Sequence, residues 1–296
     1  MLTALSDALC YRLALRAHAN AADTTIGAGE QGFDRDAYVN WRRKELETQF
    51  AEAFPPSLVA GKDIVDFGAG TGALSFYAAR LNANSVRGVD LSADDIDSAR
   101  AAQAKRTDET PVSFIHATKA DAIPLNDDCC DVILCFDVVE HIIDYEAIFA
   151  EWRRILRPGG AVAVWWVPYF HPYGHHVEAL APVPWAHAIF PERSLLRTCA
   201  RIYDSPAFAP RHWDLDENGR KKPNKWKSMT ALPTLNKLTI NAFERCMEEL
   251  GFHIERRELH PFSGGGVKSA ISRLFTKLPV TQEFFTAHAV YLWRAP

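Results

Sequence analysis

A doubly wound α/β fold with a mostly parallel sheet is predicted by three features of this sequence. From Gly61 onward, short β-branched runs alternate with amphipathic helical stretches. The first run, Ile64-Val65-Asp66-Phe67, turns through Gly68, Gly70 and Gly72 into a helix. A second apolar run ends in Asp90, roughly twenty residues further on, where nucleotide-binding α/β folds carry a ribose-binding acid. Such alternation builds a parallel sheet covered on both faces and puts ligands at the carboxyl ends of its strands.

Residues 1–60 precede the first core strand and read as a cap of two or three helices. In the first twenty residues Asp7, Arg12 and Arg16 interrupt the apolar run, which predicts an amphipathic helix and not a signal peptide or a membrane span. The clearest helix runs from Asp36 to Phe54 and stops before Pro55-Pro56. The core, 61–168, then reads strand 63–67, helix 72–82, strand 85–90, helix 93–106, strand 112–116, strand 131–136, helix 144–155 and strand 160–167. The rhythm is lost over 169–235, too long for a bare loop, so this stretch is predicted to be an inserted lid or substrate segment. In 236–296, a helix from Thr239 to Leu250 stops at Gly251, and strands near 253–259 and 287–293 complete the sheet as an antiparallel, hairpin-like pair.

An apolar content of 48% with 24% charged residues fits a globular protein with a full α/β core. A formal charge of −4 provides no field that would gather nucleic acid or an anionic membrane, so neither is expected as a partner. The six cysteines form no C-x-x-C pair, and reduced thiols in a cytoplasm are the simplest reading. Nothing in the sequence sets an oligomeric state.

The glycine turn permits positive φ and close approach of a ligand to the main chain. Counted to Ala73, it also matches the dinucleotide pattern G-x-G-x-x-A, which keeps a nicotinamide-dependent oxidoreductase open. Asp66, just before the turn, argues the other way: it repels a pyrophosphate and attracts an ammonium group such as that of S-adenosylmethionine (SAM). With Asp137-Val138-Val139-Glu140-His141-Ile142 and Glu151-Trp152-Arg153-Arg154-Ile155-Leu156-Arg157-Pro158-Gly159-Gly160 following in order, the chain resembles the class I, type-11-like SAM-dependent methyltransferases over roughly 60–168. The resemblance implies a seven-stranded sheet with its last strand antiparallel, and SAM as cofactor. It implies that Asp66 and the backbone of Gly68, Ala69, Gly70 and Gly72 face the methionine part, that Asp90 takes the ribose hydroxyls, and that Leu91 lies against adenine. Ala120 and Asp121 would border the adenine edge, although the usual acidic position holds Lys119, and Asp137 would line the pocket. Arg42 or Arg43 suits the cofactor carboxylate.

A sulfonium methyl is already activated, so the enzyme must mainly align a nucleophile; a base is needed only where the nucleophile arrives protonated. Trp165-Trp166-Val167-Pro168-Tyr169-Phe170-His171-Pro172-Tyr173-Gly174-His175-His176 follows the fifth core strand and offers an aromatic pocket. Tyr169, His171 and His175 are candidate catalytic groups there, with His141 a fourth. Trp165 and Trp166 point to opposite faces of a strand, so at most one lines a site. His171 and His175 have H-x-x-x-H spacing, but Pro172 and Gly174 break any helix, and no metal is expected. The basic run Arg220 to Lys227 reads as a solvated loop or a phosphate, carrier or nucleic-acid contact. The implied activity is methyl transfer to an O, N or C nucleophile of a small molecule in bacterial biosynthesis. Two alternatives keep SAM: intramolecular attack by its own amine, releasing methylthioadenosine, and silent binding.

Overall fold

The computed structural model of the chain describes residues 2–20, 35–106, 110–206, 208–232, 235–262 and 266–296. Two units are present: one comprises 1–41 and 169–235, the other 42–168 and 236–296. The N-terminal 60 residues, read as one cap, are therefore shared between them.

The larger unit is built on strands β1 (Asp63–Phe67), β2 (Ser85–Asp90), β3 (Val112–His116), β4 (Cys130–Phe136), β5 (Leu156–Trp166), β6 (His253–Pro261) and β7 (Thr286–Arg294). They form a seven-stranded sheet in the order β3-β2-β1-β4-β5-β7-β6, with β7 antiparallel to both neighbours and the β3 to β5 pairs parallel. The helices along the chain begin with α1 (Leu2–Asn20), α2 (Arg35–Ala53), α3 (Ala73–Arg80), α4 (Ala93–Gln103) and α5 (Tyr145–Ile155). They continue with α6 (Ala186–Ile189), α7 (Glu192–Tyr203), α8 (Ile240–Glu249), α9 (Gly266–Phe275) and α10 (Gln282–Phe285).

Strand alternation sorts the core side chains. Val65, Ile133, Val164 and Trp166 bury one face of the sheet against Phe149 and Trp152 of α5 and Phe243 of α8. Ile64, Val86, Leu134 and Phe136 bury the other against Phe50 of α2 and Leu74 of α3. Caps set helix starts as the sequence suggests: Ser92 Oγ accepts from Asp95 N before α4, and Thr239 Oγ1 from Ala242 N before α8.

Two differences from the sequence reading have clear causes. Strand β5 starts at Leu156, four residues early, because the register jumps from Cys130↔Leu156 to Val132↔Ala161 and leaves the Arg157-Pro158-Gly159-Gly160 stretch as a bulge within it. Arg157 secures this bulge, donating to Asp63 Oδ2 at 3.0 Å and Asp131 Oδ1 at 2.9 Å. Strands β6 and β7 are antiparallel neighbours, but α9 and α10 lie between them in the chain, and β7 inserts between β5 and β6. The connection is thus not a hairpin.

In the smaller unit Cys10 and Ala14 of α1 pack with Leu195, Leu196, Cys199 and Ile202 of α7. Asp7 fixes the pair, accepting from Ser194 Oγ at 2.6 Å and Arg197 Nη1 at 2.7 Å. The basic run is used within this unit: Lys222 donates to Trp213 O at 3.1 Å, Lys221 to Tyr203 O, and Lys227 pairs with Asp204 at 2.7 Å.

His175, a candidate catalytic group, is corrected to a loop anchor. It is 0% exposed; its Nδ1 accepts from Val177 N at 3.1 Å and its Nε2 meets Val183 O at 3.3 Å. Burial, reinforced by neighbouring His187, pulls its pKa down to about 3. A ring with both nitrogens engaged and no solvent around it cannot take a proton from an acceptor.

The linkage sign follows. With its folded pKa below the unfolded value, His175 contributes stability that is complete above about pH 6.5 and is lost as pH falls toward 3. Its share of the loss between pH 6.5 and 5 is about 2 kcal/mol. Urea titrations at the two pH values check the direction, and NMR of the His175 ring checks the assignment: a ring that titrates near pH 6 overturns it.

Candidate cofactor site

The glycine turn is held by its neighbours in the larger unit. Gly68 N and Ala69 N donate to Val89 O at 2.8 and 3.1 Å, locking the turn to the end of β2. Gly70 N donates to Asp90 Oδ2 at 2.8 Å, and Asp90 Oδ1 accepts from Ser92 N at 2.8 Å. Asp90 therefore organises two turns with its two oxygens and keeps lone pairs for hydroxyl donors. The glycines differ in purpose. A Cβ on Gly68 would run into Val138, so that position is closed by packing. Gly70 has φ +50° and nothing within 4 Å of a would-be Cβ, which leaves open room against the backbone. Gly72 caps α3.

Asp66 lies beside this turn, 2% exposed, and accepts from Ser75 Oγ of α3 at 2.6 Å. Burial raises its pKa to about 6, because the Ser75 hydrogen bond offsets only part of the lost hydration. Leu91, next to Asp90, is 56% exposed. Ala120 and Asp121 are exposed in the loop after β3, with Lys119 beside them. Arg154 secures the far end of that loop, donating to Ile123 O at 3.0 Å and Leu125 O at 2.8 Å.

At the end of β4 the chain turns at Asp137, whose φ is +53° and whose N donates to Trp165 O at 2.8 Å. Arg42 of α2 bridges two acids there, Asp137 at 2.5 Å and Glu45 at 2.6 Å. Arg43 instead approaches Glu47 at 3.7 Å. Glu140 follows in the one-turn helix Val139–His141. It is 4% exposed and its Oε2 is buried without a hydrogen-bond partner. Burial first, then the charge of Asp137, pushes its pKa up to about 8. Asn236 holds this turn, its Nδ2 donating to Val139 O at 2.6 Å and Ile142 O at 2.9 Å while its own N donates to Glu140 O at 3.0 Å.

His141 ends the same turn and is exposed. Of the two tryptophans, Trp166 is core, with its ring 5.4 Å from Phe243, while half-buried Trp165 stacks on His288 at 4.6 Å. Tyr169 and His171 belong to the smaller unit. Tyr169, 9% exposed, packs in its core beside Phe170, and His171 Nδ1 accepts from Tyr173 N at 3.0 Å. A neutral His171 ring so held carries its proton on Nε2, which makes it a donor before it is a base. Among the described residues no group of three His, Cys, Asp or Glu side chains is placed to hold a metal.

The sequence reading missed Ser75, Glu140 and Asn236. Glu140 was flagged only through its neighbour His141, and an acid followed by a histidine does not show which of the two is turned inward. Ser75 sits nine residues from Asp66, a separation that a strand-turn-helix closes, so its pairing was accessible in principle. Asn236 lies 97 residues from Val139, and no local signal marks it.

Residues 65–164 match the family model described as "Methyltransferase domain". A ubiquinone biosynthesis O-methyltransferase of Cupriavidus pinatubonensis is 36% identical over 111 residues, 36% of this chain and 41% of that protein. Methyltransferase GfsG of Streptomyces halstedii is 33% identical over 107 residues, 36% of this chain and 37% of its own. The chain thus spans less than half the length of these curated relatives. A SAM-dependent methyltransferase from Mesorhizobium loti superimposes with a TM-score of 0.50 at 18% identity, over 85% of this chain and 96% of that one, a likeness of fold alone. Residues 65–164 thus belong to the methyltransferase domain family, and the strand order of the sheet is that of the class I SAM-dependent methyltransferase fold.

Proposed function

We propose that this protein transfers a methyl group from SAM to a nucleophile of a small molecule in bacterial biosynthesis, with a hydroxyl oxygen as the first choice. The carrying observation is the turn from Gly68 to Gly72 tied through Gly70 N to Asp90, with open space at Gly70 and Asp66 beside it. The residues fit the cofactor chemically. Asp66 and Asp137 suit its ammonium, Asp90 its ribose diol, and exposed Leu91 one face of its adenine. Arg42 is the cation within reach of Asp137 and is assigned to the cofactor carboxylate. Bound SAM supplies a methyl group already activated for displacement. The oxygen preference draws on the O-methyltransferase name of one relative.

A hydroxyl must lose its proton, and His141 is the candidate base, since it is exposed and lies one residue beyond buried Glu140. Tyr169 is assigned to the core packing of the smaller unit, and His171 to its loop through Tyr173 N. Acceptor recognition is assigned to the 169–235 segment, which the chain enters directly after β5. A cytoplasmic setting is part of the proposal, supported by six cysteines that are all free thiols.

Asp90→Ala is expected to weaken SAM binding by about 1.5–3 kcal/mol, the range for hydrogen bonds to a charged group. Asp90→Asn, which keeps one carbonyl acceptor, should lose less. Calorimetry reads both; a change below about threefold in a folded Asp90→Ala protein removes Asp90 from the site.

Gly70→Val should fold, since no neighbour blocks the Cβ, yet lose SAM binding, because a branched side chain at φ +50° is strained and fills the open room. Normal titration by SAM in that variant places the ligand elsewhere.

On the acceptor side, His141→Ala should lower turnover at least tenfold, about 1.4 kcal/mol of barrier, with SAM affinity within a few-fold and partial relief at higher pH. Tyr169→Phe should keep the melting temperature and turnover, whereas Tyr169→Ala should lose thermal stability first. Mass spectrometry of products with and without candidate acceptors checks the reaction itself. Methylthioadenosine formed from SAM alone would replace transfer by self-cyclisation.

A further inference from the structure

Glu140 has no explanation in the cofactor contacts assigned above. It is an acid 4% exposed, with Oε2 sealed from solvent and from every hydrogen-bond donor. Burying an ionised carboxylate without a partner is costly enough that the group keeps its proton instead. Its surroundings strengthen that outcome. Asp137 adds negative charge, and Arg42, the nearby cation, already pairs with Asp137 at 2.5 Å and Glu45 at 2.6 Å. Three carboxyls thus share one guanidinium, and the deepest of them is left as an acid. The other group facing it is Cys135 on β4, a buried thiol that burial holds protonated, and exposed His141 is its chain neighbour.

Resting on the SAM reading of this site, we propose that Glu140 is a charge reader: it releases its proton when the cationic sulfonium cofactor binds beside Asp137, and keeps it when the neutral thioether product binds. S-Adenosylmethionine and S-adenosylhomocysteine share the ammonium, the carboxylate, the ribose and the adenine. They differ by one methyl group and one positive charge. At an effective dielectric of about 20, a unit charge within about 8 Å moves a carboxyl's pKa by roughly one to two. Starting from a pKa pushed up to about 8, that is enough to ionise Glu140 near neutral pH. The ionised Glu140 then attracts the sulfonium. After transfer the sulfur is neutral, the attraction is gone, Glu140 recovers a proton from solvent, and the product is held less tightly than the donor. Asp66, with a pKa of about 6, is already mostly ionised at pH 7 and supplies little of this proton.

The sign is fixed by linkage: a ligand whose binding releases protons binds more tightly as pH rises, until the free group is itself ionised. SAM should release roughly 0.5–1 proton at pH 7 and bind about fivefold more tightly at pH 7.5 than at 6.5, with the gain levelling off above about pH 8. S-Adenosylhomocysteine should show neither effect. The sulfonium lowers the pKa of SAM's own α-amine relative to that of S-adenosylhomocysteine, so binding as the ammonium takes up protons, opposite in sign to release from Glu140, and the Glu140→Gln variant separates the two. Calorimetry in two buffers of different ionisation enthalpy counts the protons. Glu140→Gln, neutral and nearly isosteric, should abolish the difference between the ligands and flatten the pH dependence of SAM affinity. Should that variant not fold, infrared difference spectra of the wild-type protein are expected to show a protonated-carboxyl C=O band lost on SAM binding and retained with S-adenosylhomocysteine. SAM binding without proton release, or release undiminished in Glu140→Gln, overturns the proposal and leaves the cofactor assignment standing. No binding of SAM at all overturns the cofactor assignment first.

Discussion

Too many carboxylates at one edge of the sheet is the constraint on which the rest of this site depends. Asp66, Asp90 and Asp137 stand at or just beside the carboxyl ends of β1, β2 and β4, and β1 is hydrogen-bonded to both of the other strands. A parallel sheet offers no cancelling dipole there, so each acid needs its own remedy. Asp90 takes backbone N–H groups from Gly70 and Ser92, Asp66 takes the Ser75 hydroxyl and a raised pKa, and Asp137 takes Arg42. Glu140, with Oε2 buried and unpartnered, is left with its pKa raised by burial. The negative edge that remains suits a ligand with a net positive charge and repels a pyrophosphate.

The architecture was legible wherever local pattern and burial agree. Strands β1, β2 and β4 carry runs of β-branched and apolar residues and fall where expected, and α4 starts at the Ser92 cap that the sequence displays. The Gly68 to Gly72 turn and Asp90 were legible for the same reason: their geometry is dictated within a few residues. Legibility failed where geometry is set at a distance. The early start of β5 depends on Arg157 reaching Asp63 and Asp131 across the sheet. The insertion of β7 between β5 and β6 depends on strand pairing across the intervening α9 and α10, which no local pattern specifies.

Histidine is where composition misleads most. The segment from His171 to His187 is dense in imidazoles, and density alone cannot tell a base from a strut. The local backbone decides it: Val177 N and Val183 O both close on His175, which makes it part of the loop's hydrogen-bonding, and Tyr173 N closes on Nδ1 of His171.

Arg42 and Asn236 show how the site depends on parts of the chain far from the glycine turn. Arg42 comes from a helix that precedes the first strand, and Asn236 from the segment that returns after the smaller unit; both converge on the turn from Asp137 to Ile142. Asn236 spends its side-chain amide on two carbonyls of that turn and its own N–H on a third, so the backbone of Glu140 is fixed while its Oε2 stays unpartnered. A turn anchored this firmly can keep an acid buried and unpaired, since relaxing toward solvent would break three hydrogen bonds to relieve one unsatisfied oxygen. The rigidity of the Asn236 clasp is what makes the protonation of Glu140, and not a movement of its backbone, the softest response available when a charge arrives.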